Sequence, residues 1–327
     1  MRRWYFAVTS IVFVAGGVAA FTANPAISLH VTSAPGGIGP ATKAAATEGI
    51  GSEVGSVTPR HDNMVRLAQA VTGQNNPSLA PFKWAGVLET PTNAEQEQNL
   101  GDAPYCTAQF ITDSVLLTAG HCLNDLDDNP SGPGYDLTKA SFILQYSDGN
   151  GVATFRVKCG RANPLWQYPN NYTKMSKSDQ DNVFWTTAQH DFAMVLVEGT
   201  SPTGHISYAL DWKGKYTSAV LIGYPEDILN GNYIQQTGGS VLFGNGLGAY
   251  YAHYPNLVVH LGTSDQFTYG SSGGAWVATD PITHVPTLIA ATSAFPKSKT
   301  LAGANFAAYL TAAEFNPLLK SVSNGCK

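Results

Sequence analysis

The sequence predicts an all-β fold, either a barrel or a sandwich, with one helix at the C-terminal end. From residue 82 onward, short apolar stretches alternate with turns rich in Gly, Pro and Asn, which is typical of many short strands. Apolar residues recur at helical spacing over 307–322, which predicts the terminal helix. Of the 327 residues, 43% are hydrophobic, so the chain can bury a sizeable core.

The strands are expected in two sets of about six. The first set covers 82–88, 106–111, 115–122, 140–146, 154–159 and 192–197. The second set covers 206–212, 218–222, 233–241, 250–261, 274–278 and 287–293. A turn at 112–114 makes the second and third of these strands a hairpin, and 91–104 is expected to be a polar loop.

Residues 1–23 have the features of a secretory signal peptide. Arg2 and Arg3 precede an apolar run over 4–21 and then small residues, an order typical of a cleaved signal. A membrane anchor is the alternative, because the run is close to the roughly 20 residues that span a bilayer. We expect cleavage. The protein would then be secreted, extracellular or periplasmic, with no stable membrane association after signal removal.

Residues 24–78 are expected to be a pro-region, as in a zymogen, or a flexible leader, and residues 79–327 the folded domain. The segment is rich in Ala, Gly, Thr, Ser and Pro, and residues 38–57 hold few large apolar groups, so this part cannot bury enough surface to offset its ordering entropy. A small accessory domain is the alternative. The net charge of −5 and the lack of basic runs argue against a nucleic-acid partner. We expect a monomer.

The four cysteines fit an oxidising compartment and predict two disulfide bonds. Cys106 and Cys122 lie at the far ends of the short hairpin, so their thiols can come within disulfide reach. Four cysteines allow three pairings, and this first bond leaves Cys159 to pair with Cys326. The second bond would tie the C-terminal segment to the body of the domain.

The segment GSSGG at 270–274 combines glycines with a pair of serines. Glycine allows backbone conformations that a Cβ forbids, so such a run can form a tight turn. A tight turn can aim consecutive N–H groups at one point while it exposes a serine hydroxyl. Acyl transfer needs this combination, a nucleophile with donors for the oxyanion. A turn without chemistry is the alternative.

A histidine and an aspartate elsewhere in the chain complete a possible nucleophile–base–acid set. His121 ends the hairpin, and histidine is the side chain whose free pKa best suits a base at neutral pH. Asp191 precedes the apolar strand 192–197 and could hold the other imidazole nitrogen. Each residue alone could be structural, but the order His121, Asp191, Ser272 is one of the known orders of a Ser-His-Asp triad.

These segments carry a family resemblance. TAGHC at 118–122, DFAMV at 191–195 and GSSGG at 270–274 together resemble the trypsin/chymotrypsin-like serine peptidases, and GYP at 223–225 is similar to their bacterial glutamyl-endopeptidase branch. The resemblance runs from about residue 81 to the C-terminus. It implies two six-stranded antiparallel Greek-key β-barrels, with His121 and Asp191 on the first barrel, Ser272 on the second and the site between them.

The resemblance also implies roles for these residues. Ser272 would be the nucleophile, His121 the general base and then acid, and Asp191 the orienting carboxylate. The N–H groups of Gly270 and Ser272 would form the oxyanion hole. The family pattern Gly-x-Ser-Gly-Gly favours Ser272 over Ser271. The expected function is a secreted serine endopeptidase that acts on a protein or peptide substrate without a cofactor. An inactive homologue that only binds and an esterase are the alternatives.

Two features depart from the family pattern. Ser271 stands where the trypsin branch has an Asp, which pairs there with the amine released by activation cleavage. A switch that follows leader removal would therefore have to work differently. The intervals between the three site residues are also long, which implies inserted surface loops such as 163–181.

The specificity pocket follows only from the family's spacing. Its base is expected at Gln266 and Phe267, and one wall at Ser293 and Phe295. No acid stands where trypsin-type pockets bind Lys or Arg, and no histidine stands at the wall where the glutamyl branch tends to have one. A neutral pocket of this kind favours uncharged or apolar substrate side chains.

Other candidate residues receive weaker roles. His190 adjoins Asp191, but strand neighbours point to opposite faces, so we expect it at the rim. Asp179 and Asp181 are alternatives to Asp191, but they lie in a polar stretch with no apolar strand after it. The oxygen-rich segment 125–129 does not have the spacing of an EF-hand loop, so we expect no metal. Three more histidines are expected to be structural or surface groups: His253, His260 and His284.

Overall fold

The structure is a computed structural model that describes residues 77–90, 105–124, 126, 134–226, 229–244, 251–262, 269–294 and 304–327. These residues all lie in one compact unit. The expected signal peptide and all but the last two residues of the expected leader lie outside them. In this described part, no helix is long and apolar enough to cross a membrane.

Six antiparallel strands close into a first barrel. They are β1 (Ala85–Glu89), β2 (Tyr105–Phe110), β3 (Val115–Thr118), β4 (Ser141–Leu144), β5 (Ala153–Ala162) and β6 (Ala193–Val197). The order around the barrel is β1-β2-β3-β6-β5-β4, and β4 pairs with β1 to close it. Closure leaves no unpaired strand edge. All six predicted strands are present, although the first begins with a 3-10 turn at Phe82–Trp84.

A second six-stranded barrel follows in the chain. The remaining strands are β7 (Ser207–Tyr208), β8 (Ser218–Gly223), β9 (Gln235–Phe243), β10 (Leu257–Gly262), β11 (Ala275–Thr279), β12 (Pro286–Ala294) and β13 (Ala304–Tyr309). The strands β11-β8-β9-β10-β13-β12 form the ring, which the β11–β12 pairing closes. The two-residue strand β7 is not part of this ring and pairs in parallel with Thr287 and Leu288 of β12.

The prediction from the sequence placed one barrel strand wrongly. The segment 206–212 gives only the two residues of β7, and the sixth barrel strand is β13. The sequence ANFAAY of β13 is buried at all six positions, so it lacks the apolar–polar alternation that marks a half-exposed strand. Its alanines merge with the helical pattern that follows, so the predicted helix began too early.

Two α-helices are present in the described residues, α1 (Lys177–Ala188) and α2 (Ala312–Ser323). The helix α1 corrects the expectation of a surface loop over 163–181. The hydroxyl of Ser176 caps it by accepting the N–H of Asp179, which is the usual device at a helix start. Asp179 and Asp181 therefore lie on α1, not in a loop, and Asp181 pairs with Lys177.

The predicted C-terminal helix α2 packs against the first barrel. Its buried residues include Phe315, whose ring stacks on Phe192 with centroids 6.4 Å apart. Both predicted disulfides are present, and each has a Cα–Cα distance of 6.2 Å. The bond between Cys159 and Cys326 joins β5 to the residues after α2, so the end of the chain is fixed to the first barrel.

One apolar cluster joins the two barrels. It contains Leu117 and Met194 from the first barrel and Ile222, Ala275 and Leu288 from the second. Because these buried side chains share one cluster, the barrels pack together through their strands. Residues that follow β3, precede β6 or precede β11 are therefore placed at a fixed junction.

Candidate active site

His121 and Asp191 come together because their strands are neighbours. His121 follows β3 and Asp191 precedes β6, and these strands pair with Thr118 opposite Ala193. His121 Nδ1 lies 2.8 Å from Asp191 Oδ2, and the backbone N–H of His121 donates to Asp191 Oδ1 at 2.8 Å. The structure thus places the expected base and the expected orienting acid in direct contact.

The contact determines which imidazole nitrogen is available. An ionised carboxylate only accepts hydrogen bonds, so the bond to Asp191 requires the proton of a neutral His121 on Nδ1. Nε2 then carries the lone pair that a general base uses. The side chain of Asp191 is 2% exposed and that of His121 is 25% exposed. A buried carboxylate therefore supports a ring that solvent or substrate can reach.

Sequence reasoning missed a tryptophan beside this pair. The ring centroid of Trp166 lies 6.3 Å from that of His121, and its indole N–H donates to the carbonyl of Asn124 at 3.0 Å. A Cβ on Gly120 would lie 2.9 Å from both Asp191 Oδ1 and Trp166 Cδ1. Only glycine leaves the room for this arrangement. No local sequence pattern marks Trp166 as a neighbour of the site.

The segment 270–274 forms the expected tight turn. Gly270 and Gly273 have φ angles of 81° and 79°, a region that favours glycine. A Cβ on Gly270 would lie 2.4 Å from the carbonyl oxygen of Tyr224, and one on Gly273 would lie 2.2 Å from Thr118 Oγ1. Both glycines are therefore required by conformation and by space.

The turn leaves two backbone donors available. The carbonyl of Tyr269 accepts the N–H of Glu226 at 2.7 Å, and the carbonyl of Ser271 accepts the N–H of Gly274 at 2.8 Å. In a trans peptide the N–H points away from the C=O, so these two bonds orient the N–H groups of Gly270 and Ser272. Neither N–H donates to a backbone carbonyl of the described residues. They are the two donors that the family resemblance assigns to an oxyanion hole.

The two serines of the turn differ in burial. Ser271 is 1% exposed, and its Cα and Cβ would lie 3.3 Å from a Cβ on Gly223. Ser272 is only half-buried. The half-buried serine is the one that the family pattern favours.

The turn sits against the segments that carry His121 and Asp191. The carbonyl of Ser272 accepts the N–H of Thr107 on β2 at 2.8 Å, and the preceding residue, Cys106, is bonded to Cys122 beside His121. From the second barrel, Ser293 Oγ donates to Asp191 Oδ2 at 2.5 Å. The backbone of Ser272 and the carboxylate of Asp191 therefore each form a hydrogen bond across the junction of the barrels, and His121 contacts Asp191 on the first barrel.

The specificity pocket is described only in part. Gln266, Phe267 and Phe295 lie outside the described residues. Ser293 is 7% exposed, and its hydroxyl donates to Asp191 Oδ2. This second function of Ser293 was not expected from the sequence, and its place in the pocket wall stays a prediction.

His190 has a partner of its own, away from Asp191. Its Nδ1 lies 2.9 Å from Oε2 of Glu314, the same oxygen that accepts from Asn163 Nδ2 at 2.6 Å. Burial raises the pKa of Glu314, but the hydrogen bonds from His190 and Asn163 outweigh it, so the pKa of this carboxyl lies below its ordinary value. His190 and Asn163 therefore join the start of α2 to the two ends of the segment 163–190.

No contact among the described residues places His253, His260 or His284 beside a nucleophile. His260 is fully buried on β10, with Nε2 3.2 Å from the carbonyl of Ala219, and burial lowers its pKa. His253 and His284 are exposed. The side chains of Cys106, Cys122 and His121 lie within 4.8 Å of one another. The two sulfurs form a disulfide, however, so they offer no thiolate to a metal. Of the segment 125–129, only Leu126 is described.

Comparisons with known proteins place the fold. No protein-family model and no curated protein matches the sequence. Protease Anisep from Arthrobacter nicotinovorans matches at 18% identity with a TM-score of 0.53, over 73% of this chain and 96% of that one. The thermostable serine protease AL20 from an extremophilic microorganism matches at 18% identity and 0.53, over 74% and 98%.

A third structural match has a different character. A scabies mite inactivated protease paralogue matches at 15% identity with a TM-score of 0.51, over 75% of this chain and 93% of that one. At such identities the likeness concerns the fold alone. Two six-stranded antiparallel barrels, the junction between them and these structural matches together give this chain the chymotrypsin-like serine protease fold.

Proposed function

We propose that this protein is a secreted serine endopeptidase that acts through Ser272, His121 and Asp191. The observation that carries the proposal is the 2.8 Å contact between His121 Nδ1 and Asp191 Oδ2 at the barrel junction. A buried Asp–His pair of this kind supplies a base of fixed tautomer. The half-buried Ser272 lies on a turn anchored to the neighbouring strand.

The proposed reaction runs through an acyl-enzyme. Ser272 Oγ attacks the peptide carbonyl carbon while its proton moves to His121 Nε2, and Asp191 stabilises the imidazolium. The N–H groups of Gly270 and Ser272 donate to the oxyanion that forms. His121 then protonates the leaving amine, and a water molecule activated by the same ring releases the acyl group.

Two other functions would use the same fold. A binding protein without catalysis is one, because the fold also occurs in an inactivated protease paralogue. An esterase is the other, because ester and peptide hydrolysis share the acyl chemistry. The pairing of His121 with Asp191 favours catalysis, since a binding surface has no need of an imidazole held in one tautomer.

Labelling with a fluorophosphonate probe tests the nucleophile. We expect the folded protein to react covalently at one serine, S272A to lose the label, and S271A to keep it. Peptide mapping of the labelled protein identifies the residue. Label that survives in S272A but disappears in S271A would move the nucleophile to Ser271. A wild-type protein that takes no label would favour the binding protein.

Cleavage of an unfolded protein such as reduced casein separates a peptidase from an esterase. We expect new internal termini, which mass spectrometry can read, with uncharged or apolar side chains before the cleaved bonds. Strict cleavage after Glu would instead support the glutamyl-endopeptidase branch that GYP at 223–225 resembles. Hydrolysis of an activated ester without any casein cleavage would support the esterase.

The leader and the compartment are part of the same proposal. We expect secretion with removal of residues 1–23, and 24–78 acting as a pro-region that is lost before full activity. Intact mass measurement of the protein from culture medium gives the first residue of the mature form. Retention of the whole chain in the membrane fraction would contradict secretion.

A further inference from the structure

Thr107 on β2 is the residue through which the first barrel holds the serine turn. It is fully buried. Its N–H donates to the carbonyl of Ser272 at 2.8 Å, and its hydroxyl donates to the carbonyl of Gly270 at 2.8 Å. The same hydroxyl accepts the N–H of Tyr224 at 3.0 Å. A single side chain on one barrel thus satisfies two polar groups of the other.

The two carbonyls held by Thr107 belong to the residues that would supply the oxyanion donors. The carbonyls of Tyr269 and Ser271 are held by Glu226 and Gly274. Four consecutive peptide planes, from 269 to 272, are therefore each fixed by a hydrogen bond at the carbonyl. The N–H groups of Gly270 and Ser272 belong to the first and third of these rigid planes, and the hydroxyl of Thr107 holds the second plane, which lies between them. A shift of that middle plane would therefore change the direction of both donors.

All four of these donors are uncharged. In the trypsin branch an Asp at the position of Ser271 pairs with a new amino terminus, and this chain cannot form that pair because Ser271 has no charge. Its turn nevertheless orients the N–H groups of Gly270 and Ser272, which donate to no backbone carbonyl of the described residues. The hydroxyl of Thr107 is the one side-chain donor among the four bonds, and it comes from the opposite barrel.

We propose that Thr107 is a positioning residue, whose hydroxyl holds the serine turn in the conformation that binds the oxyanion, in place of an ion pair. The proposal rests on the proposed function, since it assigns Thr107 a part in that reaction. It also implies that the turn forms as the domain folds, without a newly released ammonium group. Thr107 acts on the substrate only through Gly270 and Ser272.

Removal of the hydroxyl should affect the transition state more than the substrate complex. T107V keeps the shape of the side chain but leaves the carbonyl of Gly270 and the N–H of Tyr224 without their partner. Loss of one oxyanion donor lowers the rate about 100- to 1000-fold, and misdirection of a donor that is still present should cost less. We expect kcat to fall about 10- to 100-fold and KM to change less than about threefold.

The experiment compares T107V with T107S, and includes T287V as a matched control. T107S keeps the hydroxyl and should restore kcat to within about threefold of the wild type, because a serine hydroxyl can make the same bonds. Thr287 is also buried, and its hydroxyl donates to the carbonyl of Val285 at 3.0 Å, far along β12 from the turn. T287V should leave kcat unchanged. Hydrolysis of an activated p-nitrophenyl ester supplies kcat and KM.

Each outcome decides one of the two proposals. If T107V has the kcat of the wild type, or if T107S is impaired as strongly as T107V, the positioning role is wrong. If T107V does not fold, T107A against T107S gives the same comparison, since they differ by one hydroxyl. A wild-type protein that neither labels nor hydrolyses the ester contradicts the proposed function itself. Labelling of the wild type with full kcat in T107V contradicts only the role of Thr107.

Discussion

Asp191 shows how a charge can remain buried at the site. Its carboxylate accepts the N–H of His121, the imidazole Nδ1 and the hydroxyl of Ser293, and it is 1% exposed. A buried charge without partners is strongly unfavourable, whereas one with several donors is tolerated. The three donors come from both barrels. Packing of the second barrel against the first therefore completes the set of donors through Ser293.

The substitution D191N tests whether the carboxylate of Asp191 holds the proton of His121 on Nδ1. An amide at Asp191 can donate to the imidazole, which would move the proton of His121 to Nε2 and remove the base. We expect kcat to fall about 10⁴-fold, with the folded structure retained. The rate of fluorophosphonate labelling measures this loss.

A second Asp–His pair in the same chain provides the control. Asp113 Oδ1 lies 2.9 Å from His205 Nδ1 at an exposed position. D113N changes the same atoms but should leave the labelling rate within about twofold, because exposed pairs contribute little. Equal rates for D191N and the wild type would remove Asp191 from the mechanism.

The residue types of the site were predictable, but their supporting contacts were not. His121, Asp191 and Ser272 were proposed from residue chemistry, order and short motifs, and the structure shows the contact of His121 with Asp191. Thr107, Ser293 and Trp166 lie in ordinary strand or loop sequences. Thr107 and Ser293 matter because their hydroxyls contact residues more than 100 positions away. Trp166 lies in the segment 163–181, which has no sequence pattern of its own. Only the packed structure therefore identifies these three residues.

At the scale of elements, cap residues account for both helices. Thr311 caps α2 by accepting the N–H of Glu314 at 3.3 Å, and Ser176 caps α1 in the same way. Both are a Ser or Thr followed three residues later by an acid, which is a recognised helix-start pattern. This pattern could have predicted α1. The polar stretch 163–181 concealed it, because α1 has almost no apolar face: of its residues only Thr187 and Ala188 are buried.

The strand β13 could not be predicted from the periodicity of its apolar residues. Both faces of β13 are covered, with Phe306 in one apolar cluster and Ala307 in another. A strand buried on both sides reads as a continuous apolar run, and alanine favours a helix. Pairing with β10 and β12 overrides that preference.

Glu314 gives α2 a pH-dependent anchor. Its pKa in the folded protein is lowered, so the ionised carboxylate stabilises the fold above the ordinary glutamate pKa, and this contribution is lost as the pH falls through the lowered value. We expect E314Q to unfold at lower urea concentration than the wild type at pH 7, and the difference to shrink at about pH 3. Urea unfolding at the two pH values measures it.

An exposed glutamate serves as the comparison for this effect. Glu198 is exposed at the end of β6, and E198Q should give nearly the same unfolding midpoint as the wild type at both pH values. If the destabilisation by E314Q were equally large at pH 7 and pH 3, the contacts of Glu314 with His190 and Asn163 would not depend on its charge.

At the scale of the whole molecule, the two disulfides should separate stability from activity. The bond between Cys159 and Cys326 closes a sequence separation of 167 residues, and that between Cys106 and Cys122 closes one of 16. In the chain-entropy treatment these are worth about 5 and about 3 kcal/mol. The short bond, however, lies beside His121 and next to Thr107.

We therefore expect C159S/C326S to lower the free energy of unfolding more, and C106S/C122S to slow fluorophosphonate labelling more. The long bond fixes the end of α2 to β5, which contains none of the proposed catalytic residues. The short bond joins the strand that holds the serine turn to the residue after the base. Urea unfolding and labelling rates, measured on the same samples, test both halves. If C159S/C326S slowed labelling more among folded molecules, the geometry of the site would depend on the C-terminal attachment rather than on the hairpin beside His121.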